Sequence, residues 1–195
     1  MTYAVKANPG EEVLANLARA GITAFDVASP AEMRAVRAVA PDAALHYNNP
    51  VRSPAEVRIA TEMGVRSFSV DCLRELDKLT GPVAPDAEIS VRLALPVVGA
   101  AYDFGEKFGV GPDRAAELLR AVVARGFTPS MTFHPGTQCA DPSAWGSYIA
   151  AAADVARSAG VRLHRLNIGG GFPAPYITNS APPLDVYFET IRNAV

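Results

Sequence analysis

With 195 residues, 49% of them hydrophobic and 19% charged, the chain can bury a core of single-domain size and falls outside the disordered class. A formal net charge of −2 offers no basic face for nucleic acid or an anionic membrane surface. Two cysteines, Cys72 and Cys139, exclude a disulfide scaffold and a zinc finger, and no apolar run is long enough for a membrane span. The start of the chain lacks a charged-then-apolar signal layout, so a reducing cytoplasm is the expected address.

The first β-rich run, 2–6, ends in Lys6 and leads to a helical stretch with apolar Val13, Leu14, Leu17 and Ala18 at helical spacing. A strand over 23–29 carries Asp26, and Ser29-Pro30 caps a helix over 30–39 that holds Glu32. Strand 44–49 and helix 54–63 follow, the latter opened by Ser53-Pro54 with Glu56 behind it. Strand 65–71 precedes helix 73–79. Strand 88–95 contains Arg92 and leads to a helix around Ala115, Leu118, Leu119 and Val122. Strand 128–134 ends in His134. Asp141-Pro142 opens a helix over 144–159, with Asp141 expected at the N-cap. The seventh strand, 164–169, leads into a long loop, 169–183, and a last helix over 184–194. Gly21, Gly64, Gly126 and Gly160 close four of the helices.

Repeated strand–helix units require a parallel sheet with helical crossovers. Seven strands separate a doubly wound sheet from a (β/α)8 barrel with one unit missing. The first strand runs into Lys6-Ala7-Asn8-Pro9 rather than a G-x-G-x-x-G turn, so the incomplete barrel is the expected architecture. It is taken as one partial barrel domain over 1–195, with its site on the face where the strand-to-helix loops gather.

Lys6 ends the first strand on that face, where a lysine amine can condense with an aldehyde; the alternative is a surface lysine. Gly169-Gly170-Gly171 after the seventh strand can turn main-chain N–H groups onto a phosphate, or simply form a tight turn. His134 can stack on a planar ring or move protons, or sit satisfied in the core. Thr137 has a hydroxyl to give a phosphate. Arg92, a charge inside a strand, is costly unless paired or in contact with a ligand. Asp103, Glu106 and Lys107 read as solvated loop residues. His46, His134 and His164 lack the pairing of a metal site, so no metal is expected.

Together these segments resemble the pyridoxal-phosphate-binding barrel of the fold-type III amino-acid decarboxylases, the ornithine, lysine, diaminopimelate and arginine decarboxylase group with an alanine-racemase-like barrel. The resemblance runs in order through Tyr3–Asn8, Phe25–Ser29 with Glu32, Tyr47–Pro50, Phe68–Asp71, Lys107–Gly109, Phe133–Thr137 and Gly169–Pro173. Phe-His and Gly-Gly-Gly-Phe-Pro are closest to the ornithine-like branch. The resemblance implies pyridoxal 5'-phosphate as cofactor, with Lys6 as its Schiff-base lysine and His134 stacked on the ring. Thr137, Gly169, Gly170 and Gly171 would hold the phosphate. Asp26 and Glu32 match acidic positions near the lysine and ring, and Arg92 matches an arginine on the phenolic side.

It further implies a carboxy-lyase acting on a small basic amino acid in polyamine or amino-acid metabolism, as a homodimer. The family's E-P-G-R segment and C-terminal β domain do not occur in this sequence. A fragment or degenerate relative, inactive as it stands, is therefore the expectation. Two other readings stay open: a non-catalytic homologue that binds a regulatory partner, and a stand-alone pyridoxal-phosphate homeostasis barrel.

Overall fold

A computed structural model describes residues 1–96, 108–174 and 181–195. Asp103, Glu106 and Lys107 lie outside the described residues. Strands and helices alternate in the expected order. The strands are β1 (Tyr3–Ala4), β2 (Ala24–Val27), β3 (Ala44–Tyr47), β4 (Ser67–Val70), β5 (Glu88–Leu93), β6 (Thr128–Phe133) and β7 (Leu166–Asn167). The helices are α1 (Glu11–Arg19), α2 (Pro30–Val39), α3 (Pro54–Glu62), α4 (Leu73–Leu79), α5 (Pro112–Ala124), α6 (Ser143–Ala159) and α7 (Leu184–Ala194). Strand order in the sheet follows chain order from β1 to β7.

The chain divides into two compact units, one of residues 1–90 with 125–128 and one of 91–124 with 129–195. In the first, β1 pairs with β2, β2 with β3 and β3 with β4, all parallel, with Ala4 opposite Asp26 and Asp26 opposite His46. Side chains alternate between faces along a strand. Phe25 and Val27 therefore enter the core and Asp26 turns to the other face, half-buried. Met33 and Val36 of α2, Val57 and Ala60 of α3, and Leu76 and Leu79 of α4 complete that core. Arg37 ties α2 to its neighbours, donating to the Ala43 carbonyl at 2.5 Å and to the Met63 carbonyl at 3.1 Å.

In the second unit β6 pairs with β7 in parallel, Met131 opposite Leu166. Phe133 stacks on Tyr148 of α6 with centroids 4.6 Å apart. Trp145 of α6 stacks on Phe172 at 4.7 Å, and Tyr187 of α7 meets both rings edge-on.

Capping explains where the helices start. Ser29 Oγ accepts from the Glu32 N–H at 3.3 Å, and the Glu32 carboxylate reaches back to the Ala28 N–H at 2.8 Å. Ser53 and Glu56 make the same reciprocal pair at α3, the arrangement that satisfies two orphan donors at once. Two expectations are corrected. Lys6 does not end the first strand but sits in a short 3-10 turn, Val5–Ala7, after a strand of only two residues. Asp141 is not the N-cap of α6; Pro142 holds that position. The Asp141 carboxylate instead accepts from the main-chain N–H and hydroxyl of Ser143, at 2.9 and 2.8 Å.

Candidate functional site

Two groups of candidate residues form, one in each unit. In the first, Lys6 is exposed in its turn, and its ammonium charge acts on the carboxylate of Asp26. Asn48, just past β3, is the polar neighbour that favours the ionised form of that carboxylate. Burial pushes the Asp26 carboxyl up from 3.8 to about 6, against the opposing pull of Lys6 and Asn48. Glu32 adds a smaller upward push, while its own carboxylate is already used in capping α2. The chemistry of this set is an amine beside a carboxyl able to hold or release a proton near neutral pH.

Behind the pair stands a buried polar network. The Ser69 hydroxyl donates to the Asn48 carbonyl at 2.7 Å, and the Ser69 carbonyl accepts from Arg52 Nη2. Arg52 is 3% exposed. Its guanidinium lies over the rings of Tyr47 and Phe68, at 5.2 and 5.7 Å from their centroids. Burial holds Arg52 down at about 10, with the nearby Glu75 carboxylate opposing the shift most strongly, and Arg52 therefore stays charged at neutral pH. Lys78 closes the network, donating to Glu75 at 2.6 Å and to the Arg52 carbonyl at 2.7 Å. Arg52 Nε and Nη1 and the Tyr47 hydroxyl have no hydrogen-bond partner among the described residues.

In the second unit the loops after β6 and β7 lie against each other. Gly136 N–H donates to His134 Nδ1 at 3.1 Å, which assigns the proton of the neutral imidazole to Nε2. Gly169 and Gly171 both have positive φ, 66° and 90°. A Cβ at Gly169 would overlap the Phe133 carbonyl oxygen, and one at Gly171 the Gly136 carbonyl oxygen. Gly170 differs: its φ is not positive, and a Cβ there would sit in ordinary contact, 3.6 Å from His134 Nε2. The Cys139 N–H donates to the Gly171 carbonyl at 3.0 Å, and Tyr187 donates to the Cys139 carbonyl at 3.0 Å. Thr137 is exposed on the same loop as His134. Arg92 is half-buried in β5 with its guanidinium 5.3 Å from the centre of the Phe108 ring.

The sequence reading gives roles to Lys6, Asp26, Glu32, Arg92, His134, Thr137 and the three glycines; Asn48 and Ser69 enter it only inside the segments Tyr47–Pro50 and Phe68–Asp71, and Arg52 and Glu75 are given no role. Glu75 does leave a signal. It stands four residues before Leu79 and one before Leu76, on the face of α4 that enters the core, where an acidic side chain needs a buried cation.

The residues fit an aldehyde cofactor with a phosphate. The exposed amine of the first unit suits an aldehyde, and the stretch of main chain without side chains in the second, running beside an imidazole, suits a phosphate. Over residues 1–195 the chain matches the family described as pyridoxal-dependent decarboxylase, pyridoxal binding domain. The lysine/ornithine decarboxylase of Selenomonas ruminantium is 36% identical over 198 residues, covering 99% of this chain and 50% of that protein. The ornithine decarboxylase of Mus musculus is 31% identical over 202 residues, covering 96% and 43%. A solved structure of an SrLDC mutant in complex with PLP superposes with a TM-score of 0.88 at 32% identity, covering 99% of this chain and 51% of that one. The chain spans about half the length of the curated relatives it matches. Its seven βα units are those of an incomplete (β/α)8 barrel, and with the whole sequence matched the chain belongs to the pyridoxal-dependent decarboxylases, as a pyridoxal binding domain.

Proposed function

We propose that this chain is the cofactor barrel of a decarboxylase acting on a basic amino acid of the ornithine or lysine kind, with pyridoxal 5'-phosphate attached through Lys6. The bound cofactor supplies an electron-accepting ring for cleavage of the bond to the carboxyl carbon. Lys6 provides the amine for attachment, and Asp26 holds or releases a proton next to it. His134 would pack on the pyridine ring, with its Nδ1 already engaged by the Gly136 N–H. Thr137 and the main chain of Gly169, Gly170 and Gly171 would hold the phosphate, and Arg92 would serve the phenolic side. The Gly169 N–H is spent on Asn167 Oδ1 at 2.9 Å, which leaves the donors of Gly170 and Gly171. The names of the relatives support the substrate class, and the resemblance supports a cytoplasmic homodimer.

The observation that carries the reading is the place of Lys6, exposed in the turn that follows β1, next to the strand β2 that presents the half-buried Asp26, with Ala4 and Asp26 in register. The test adds pyridoxal phosphate to the 195-residue chain, reduces with borohydride and maps the modified residue by mass spectrometry. Lys6 should carry the adduct, and Lys6→Ala should lose it while keeping the wild-type helical signal. Adduct at one defined lysine in Lys6→Ala would overturn the assignment.

A further inference from the structure

We propose that Tyr187 of α7, acting through Cys139, is a positioning residue for the two main-chain N–H groups with which the glycine loop takes a phosphate. The proposal rests on the reading of Gly169–Gly171 as the holder of the cofactor's phosphate. The Gly169 N–H donates to Asn167 Oδ1 at 2.9 Å, which leaves those of Gly170 and Gly171 for a ligand. A pair of N–H groups aims at an anion only while its peptide planes hold still, and glycine has the most backbone freedom to lose. The aim must therefore come from the neighbours. On one side of the two free donors, Asn167 fixes the Gly169 N–H. On the other, the Gly171 carbonyl accepts from the Cys139 N–H at 3.0 Å.

Tyr187 secures that second tie. It is fully buried, and its hydroxyl donates to the Cys139 carbonyl at 3.0 Å. Cys139 thus turns its N–H to the glycine loop and its carbonyl to Tyr187, while its thiol is directed to the Asp141 carbonyl at 3.6 Å. The residue before it, Gln138, is the one non-glycine residue with a positive φ, 53°, among the described residues. Such a turn persists only where its surroundings hold it. Gln138 Oε1 accepts from the Ala174 N–H at 2.9 Å, and Tyr187 holds the residue that follows. The ring of Tyr187 also meets Phe172, next after Gly171, edge-on at 5.9 Å, and Trp145 stacks on the same Phe172 at 4.7 Å. One side chain therefore fixes both the partner of the Gly171 carbonyl and the residue that ends the glycine run.

The test titrates the 195-residue chain with pyridoxal phosphate and with pyridoxal, in wild type and in Tyr187→Phe, which keeps the ring and deletes the hydroxyl. Tyr187→Phe should bind pyridoxal phosphate about fivefold more weakly, the scale of one neutral hydrogen bond, and pyridoxal almost as well as before. Val122→Ala, a change in the buried face of α5, supplies the comparison. It should lower the urea midpoint and leave the preference for pyridoxal phosphate over pyridoxal at its wild-type value. A preference that survives intact in Tyr187→Phe, or that falls alike in Val122→Ala, would overturn the proposal, because a role in packing alone moves stability and not the preference.

A second measurement needs no variant to fold. Amide NMR of the wild-type chain is followed as inorganic phosphate is added. The Gly170 and Gly171 amides should shift, and the Cys139 amide should shift with the same midpoint, since its N–H is held by the Gly171 carbonyl. Glycine amides that respond while the Cys139 amide stays flat would count against the proposal alone. Glycine amides that do not respond would sink the reading of the glycine loop itself, and the proposal with it.

Discussion

Gly169 and Gly171 are glycine for two reasons that act together: a left-handed backbone and a carbonyl oxygen where a Cβ would be. An alanine in that conformation costs about 1–2 kcal/mol before any overlap is counted. Gly169→Ala and Gly171→Ala should each lower stability by more than that and weaken binding of pyridoxal phosphate. Gly170→Ala should fold normally and keep most of its affinity, since its added methyl meets only the edge of His134. Urea midpoints and a fluorescence titration with the cofactor measure both effects, and equal damage at all three positions would refute the distinction. The sequence alone does not separate these glycines, because it carries no information on which carbonyl each one meets. Lys6, His134 and the glycine run are legible because their chemistry is rare at loop ends. Asn48 and Ser69 are not, because neutral polar residues are ordinary in loops, and only the register of β3 against β4 brings the Ser69 hydroxyl onto the Asn48 carbonyl.

Three helices, α2, α4 and α7, have the bounds that spacing and caps predict, whereas β1 and β7 shrink to two residues each. Caps act locally, and Ser29 with Glu32 or Ser53 with Glu56 closes its own hydrogen bonds without the rest of the fold. A strand's length is set by its neighbours, so the segment from Val5 to Ala7 coils into a turn although its composition suits a strand. The same dependence on neighbours governs α4. Glu75 is 6% exposed, and its carboxylate faces two cations, Arg52 and Lys78. Glu75→Leu keeps the helix former but strands both positive charges, one of them deeply buried, and should cost roughly 3 kcal/mol or more. Arg52→Met removes a cation that already leaves two N–H groups unpaired, and it leaves Glu75 with Lys78. It should cost less than about 1.5 kcal/mol, within the range in which apolar replacement of a buried ion is tolerated. Equilibrium urea denaturation ranks the two; the reverse order would mean that the contacts of Arg52 with the two rings and Ser69 outweigh its desolvation.

For the molecule as a whole, the group proposed to work beside Lys6 acts against folding at neutral pH. Asp26 has an unfolded-state value near 3.8 and a folded one of about 6. Between those values the folded chain keeps a proton that the unfolded chain has released. Stability therefore falls as pH rises through that window, and the penalty is complete above it. Below pH 3.8 both states are protonated and the penalty is absent. A displacement of about two pH units corresponds to roughly 3 kcal/mol at most. Asp26→Asn preserves the shape and hydrogen-bonding capacity but never ionises. It should raise the melting temperature at about pH 7.5 by several degrees and leave it nearly unchanged near pH 4. The same variant should lose trapped pyridoxal phosphate at Lys6 or shift its pH profile. Gaining stability while losing cofactor capture is the pattern of a residue kept for chemistry rather than for folding. Paired thermal melts of wild type and Asp26→Asn at the two pH values decide it: an equal gain at both would show that the carboxyl is not the source of the penalty.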